Sequence, residues 1–125
     1  MQRTISRHRQ FIPEWSRNRE EATPLVVHYR LASTEERDKW VHWSNPTMES
    51  TGGTDHVSKV ERIIERREMF LGMVEKITAF TVIDDGKEVV IDTPRKILET
   101  PSLNDLYDEI VIELINSTAL VDVKN

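Results

Sequence analysis

An α+β fold is the reading this sequence supports, with one small antiparallel sheet set among helices. Three observations predict it. Leu25–Leu31 alternates with period two, Asp85-Gly86 lies between two apolar runs, and residues 56–77 and 103–118 carry apolar side chains at helical 3/4 spacing. The chain has 125 residues, the usual length of one domain, and a domain of that length buries roughly two thirds of its unfolded surface.

Residues 1–23 are polar and read as an extended or partly disordered segment, apart from the patch Phe11-Ile12-Pro13-Glu14-Trp15. Three apolar side chains interrupted by Pro13 suggest an extended stretch pinned to a surface, this chain's own or a partner's. Leu25–Leu31 reads as a strand with Leu25, Val27, Tyr29 and Leu31 on one face, and it opens a single domain over 24–118. Ser33 followed by Glu36 forms a capping-box pattern for a helix over 34–43. Residues 45–55, with Pro46, Gly52 and Gly53, read as a loop.

The 3/4 pattern then predicts one long central helix over 56–77, with Val57, Val60, Ile64, Leu71 and Val74 on its apolar stripe and Ile63, Phe70 and Ile77 widening it. Its charges give little local pairing, Glu61 and Glu65 being like charges four apart, so packing must hold it. Gly72 costs about 1 kcal/mol relative to alanine inside a helix, which suggests a close contact there. Residues 79–91 read as a hairpin turning at Asp85-Gly86. Two strands alone are marginal in water, so the hairpin must pack on the helices or pair with 25–31; joined with 25–31 it makes up the sheet. Thr93 and Pro94 start a short helix that stops before Pro101. Ser102, with Asp105 three residues on, suits the cap of a last helix over 103–118, and 119–125 reads as a tail.

Composition narrows the function classes. Apolar residues make up 38% and charged residues 31% of the chain, so one modest core and a well-solvated surface are expected. The absence of cysteine excludes disulfides and thiolate chemistry. No apolar run nears the roughly 20 residues of a membrane span, and no signal-peptide core follows the basic start, so the expected place is the cytoplasm. The net charge of −5 is uneven. Residues 1–19 carry five arginines against Glu14, a net of +4, and residues 84–125 carry ten acids against four bases, a net of −6. A basic arm can meet phosphate, but five arginines without a folded basic surface are a slight nucleic-acid footprint.

The sequence carries little sign of catalytic or metal chemistry. His8, His28, His42 and His56 lack metal-ligand spacing. Asp84, Asp85 and Glu88 lack that of a calcium loop, Gly52-Gly53 has no phosphate-cradle context, and no serine sits in a nucleophile elbow. The expectation is a protein without catalytic residues, metal or cofactor.

Taken together, Phe11-Ile12-Pro13-Glu14-Trp15 with Asn18-Arg19, the extended 25–31 segment, the Thr34-Glu35-Glu36-Arg37 helix start, the hairpin, the Thr93–Leu98 element, the Pro101 break and the Leu103–Ile115 helix resemble small proteins of siphophage and prophage tail operons, the tail assembly chaperones and their relatives. The resemblance spans most of the chain and is one of pattern. It implies a non-enzymatic role in the bacterial host cytoplasm, with the tape measure protein and the tail tube protein as partners and homo-oligomerisation left open. No functional residue carries over from it. Chemistry nominates Trp15, Trp40, Trp43 and Phe70 as protein-binding residues, since tryptophan is enriched at interface hot spots. The alternatives are a structural virion component of the neck or tail-completion kind and a small nucleic-acid-binding regulator using the basic arm.

Overall fold

The face formed by Leu25, Val27 and Tyr29 is buried and lies at the centre of the molecule. The computed structural model describes residues 2–40 and 55–118, without the side chains of Trp40 and of residues 55–59. The expected helix end at 41–43, with His42 and Trp43, the glycine loop and the tail 119–125 therefore lie outside the described residues.

Among the described residues, two small sheets and four α-helices make up an α+β architecture. Strand β2, Val27–Arg30, is the middle of a three-stranded antiparallel sheet. On one side it pairs with β1, His8–Phe11, so part of the N-terminal segment is an edge strand. On the other it pairs with β3, Val74–Ile77. Helix α1 covers Thr34–Trp40, and α2 covers Asp55–Met73. The central helix thus ends four residues before the expected Ile77. The spacing of Val74 and Ile77 fits a helical stripe, but both are buried from a strand. A bulge makes this work. Tyr29 pairs with Val74 and His28 with Lys76, so Glu75 is an extra residue and both apolar side chains face inward.

The hairpin consists of β4, Phe80–Asp84, and β5, Lys87–Ile91. Asp85 and Gly86 take left-handed φ values of 54° and 79°, as a two-residue turn of this kind requires. The hairpin is not in one sheet with residues 25–31, because β1 and β3 occupy both edges of β2. It packs on the core instead, with Ile91 buried and Phe80, Val82 and Val89 partly so.

Helix α3, Pro94–Glu99, begins as expected: Thr93 Oγ1 accepts from the Lys96 N–H, and Pro94 takes the first turn. Helix α4 covers Asn104–Thr118. Ser102 does not cap it. Residues Pro101–Leu103 form a 3-10 turn, and the Ser102 hydroxyl donates to Asp84 Oδ1 at 2.7 Å, tying the hairpin tip to the helix start. The core lies between the sheet and α2, α3 and α4, with Met69, Phe70 and Met73 meeting Leu106, Ile110 and Leu114.

Candidate protein-binding surfaces

Of the nominated residues whose side chains are described, Trp15 and Phe70 do not share a site. Phe70 is 0% exposed and meets Tyr107 edge-on, with ring centroids 5.0 Å apart. Its expected role as a contact residue is corrected: it sits on the inward side of α2 and fills the core. The backbone of Trp40 closes the described part of α1. Trp15 is half-buried, its ring tilted against Phe80 at 5.7 Å.

The segment around Trp15 is held by polar side chains from distant parts of the chain. Residues Trp15–Glu20 form a kinked 3-10 turn in which Ser16 and Arg17 take left-handed φ values of 51° and 58°. Such conformations cost about 1–2 kcal/mol each outside glycine, so other bonds must hold them. Glu109 on α4 accepts the N–H groups of Glu14 at 2.6 Å and Trp15 at 3.0 Å. Buried Asn18 bridges Pro13 and Leu25.

Trp15 also lines a groove of about 510 Å³ between this turn and β4. Six consecutive residues, Thr78 to Ile83, form one wall. Strand side chains alternate between faces, so a groove that touches each residue in turn runs along the strand edge. The pairing says which backbone groups point into it. A two-residue turn is closed by a hydrogen-bonded pair, here Asp84 and Lys87, and bonded pairs alternate along the ladder. Val82 with Val89 and Phe80 with Ile91 are then bonded pairs, and the N–H and C=O of Thr81 and Ile83 point away from β5. Among the described residues β4 has no strand on that side. Among the described residues, Glu21 is the one charged residue lining the groove.

A second surface escaped the sequence reading. Val60, Ile63 and Ile64, at i, i+3 and i+4 on α2, are 44%, 48% and 51% exposed. All three belong to the apolar stripe expected over 56–77, whose packing was expected to hold the helix. Among the described side chains, the C-terminal part of α2 faces the core, through Met69, Phe70 and Met73. The signal was the width of the stripe, since apolar residues on several sides of a helix cannot all face one core.

The charged groups are largely engaged locally. The Arg30 guanidinium bonds both oxygens of Glu36 at 2.7 Å. The Ser33–Glu36 capping box forms, with the Glu36 N–H donating to Ser33 Oγ at 3.2 Å and the Ser33 N–H to Glu36 Oε1 at 2.8 Å. The bond from Arg30, outweighing desolvation, draws the Glu36 carboxyl down to about 2. Burial, and then the bond its hydroxyl donates to Glu113 at 2.7 Å, pushes Tyr29 above the usual phenol range. In the basic segment, Arg9 donates to the carbonyls of Ser6 and His8, Arg17 pairs with Glu20, and Arg19 reaches Glu14 and the Ile12 carbonyl. These arginines are partly spent on the segment's own shape, which weakens the case for a phosphate-binding arm.

Among the described residues no cluster of three or more histidines or acids is arranged to hold a metal ion, and no helix is long and apolar enough to cross a membrane. No protein-family model, curated protein or solved structure matches the chain.

Proposed function

We propose that this chain is a non-catalytic protein-binding factor of bacteriophage tail assembly, shielding apolar helix surface on the tape measure protein in the host cytoplasm until tail tube subunits cover it. The observation that carries this reading is the half-exposed triplet Val60, Ile63 and Ile64 on α2. Residues at i, i+3 and i+4 form the seam by which one amphipathic helix docks on another. A long chain with unpaired apolar stripes aggregates unless another protein covers them. The resemblance of the chain's pieces to small tail-operon proteins supports the same reading.

Magnitudes favour transient binding. Fully burying an aliphatic side chain is worth about 1.5–3 kcal/mol. Three that are already half-buried add about 2–4 kcal/mol in sum, which reaches only the low end of the roughly 4–15 kcal/mol lost on association. One such contact is weak. Many copies along a long partner would cover it and still release it one contact at a time.

The test is co-expression with the tape measure protein. The native chain should keep that protein soluble, whereas the double variant Ile63→Glu/Ile64→Glu should lose at least half of that effect while keeping its far-UV circular dichroism. Equal solubility with the variant, or with no chain at all, would sink the reading.

A further inference from the structure

We propose that residues 2–6 of one copy of this chain add as a strand to the free edge of β4 in a second copy, giving a dimer in which each groove is filled by the other's arm. The free sheet edges of the molecule are not equally protected. Natural edge strands are blunted by charge, bulges or proline. In the three-stranded sheet, β1 carries His8, Arg9 and Gln10, and β3 carries Lys76 and the Glu75 bulge. On β4 the run Phe80-Thr81-Val82-Ile83 has neither charge nor proline, and Ile83 is 71% exposed. Its outward N–H and C=O groups at Thr81 and Ile83 are the hydrogen-bonding pattern an added strand completes.

The N-terminal arm suits this edge in geometry and charge. Residues 2–6 belong to no element, and Ile5 is 90% exposed, with Thr4 and Ser6 as its neighbours. Arg3 gives this arm positive charge, and the groove offers Glu21, its one charged residue among those described. The chain's own arm is badly placed for its own groove. The Arg7 carbonyl accepts from the Leu31 N–H, so the arm leaves the sheet at the Arg30 end of β2. The groove lies at the other end, beside Leu25 and Thr78. Five extended residues reach roughly 17 Å, and the arm would first have to double back along about 13 Å of β1. A second copy's groove imposes no such reversal.

The measurement is mass by light scattering of the full chain across a concentration series. The expected result is a particle of twice 14.6 kDa. Removing residues 1–6 should return it to the monomer mass. So should Thr81→Pro, which removes an outward N–H and leaves the bonds to β5 in place, with circular dichroism confirming the fold. Arg3→Glu should weaken the dimer at least tenfold, and Glu21→Arg in the same chain should restore it. A full chain that stays monomeric at the highest concentration overturns the proposal, even if a strand from another protein fills the groove. So does a dimer that survives both the truncation and Thr81→Pro. The readout needs no tail protein, and Ile63→Glu/Ile64→Glu should leave the dimer intact, so this inference and the proposed function fail separately.

Discussion

Asn18 Nδ2 donates to the carbonyls of Pro13 at 2.9 Å and Leu25 at 3.1 Å, and its Oδ1 accepts the Leu25 N–H at 2.8 Å. One buried amide thus satisfies three backbone groups on either side of a strained turn. Asn18→Ala leaves those groups without it and should cost about 3 kcal/mol, read as a lower urea midpoint. Trp15 fluorescence should shift as well, because the turn that presents its ring loosens. Glu36 makes a prediction of the opposite electrostatic kind. Its carboxyl lies at about 2 when folded, below its ordinary 4.5, because Arg30 holds the charged form. A lowered carboxyl adds stability that is complete above pH 4.5 and is lost as pH falls toward 2. Glu36→Gln keeps a capping side chain but removes the charge. The native chain should be more stable than the variant by about 2 kcal/mol at pH 6, and urea midpoints at successive pH values should converge near pH 2. The capping box was legible in the sequence because Ser33 and Glu36 are three residues apart. The Arg30 pair was not, because it depends on where β2 delivers the guanidinium.

Helix α2 carries Gly72 one residue before its end. A close contact was expected there, yet among the described residues a methyl group added at Gly72 would meet only Arg30 Nη2, at an ordinary 3.8 Å. The glycine therefore lowers helix stability without a packing gain, and Gly72→Ala should stabilise the fold by about 0.5–1 kcal/mol in urea denaturation. Gly86 differs, since its φ of +79° is where a side chain is strained despite open space around it. Elements defined by short-range chemistry were readable from the sequence: the Asp85-Gly86 turn, the Thr93-Pro94 helix start, and the strand through Val27 and Tyr29. Where two periods agree, the sequence was ambiguous. Val74 and Ile77 suit a helix by spacing, and their strand shows itself only through a bulge opposite His28 and Tyr29. Likewise Val60 and Ile64 belong to a helical stripe, but which part of the stripe is covered depends on where α4 crosses α2.

The parts of the chain converge on α4, and this convergence was invisible in the sequence, because its polar bonds link residues about 80 to 95 positions apart. The apolar side of α4 was readable from Leu106, Ile110 and Leu114. Its other contacts were not: Glu109 holds the N–H groups of Glu14 and Trp15, Glu113 accepts from Tyr29, and the Thr118 carbonyl accepts from Arg37 Nε at 3.2 Å. The N-terminal segment, β2, α1 and, through Phe70 and Tyr107, α2 are therefore all anchored on one helix. A molecule organised in this way should unfold as a unit. Ile110 is fully buried at the middle of α4, and Ile110→Ala should cost about 2–5 kcal/mol. Because every layer depends on that helix, tryptophan fluorescence and far-UV circular dichroism should move to the lower urea midpoint together, as a two-state transition requires. If fluorescence changed well before the dichroism, the segment around Trp15 would be opening on its own, and the anchoring by Glu109 would count for little.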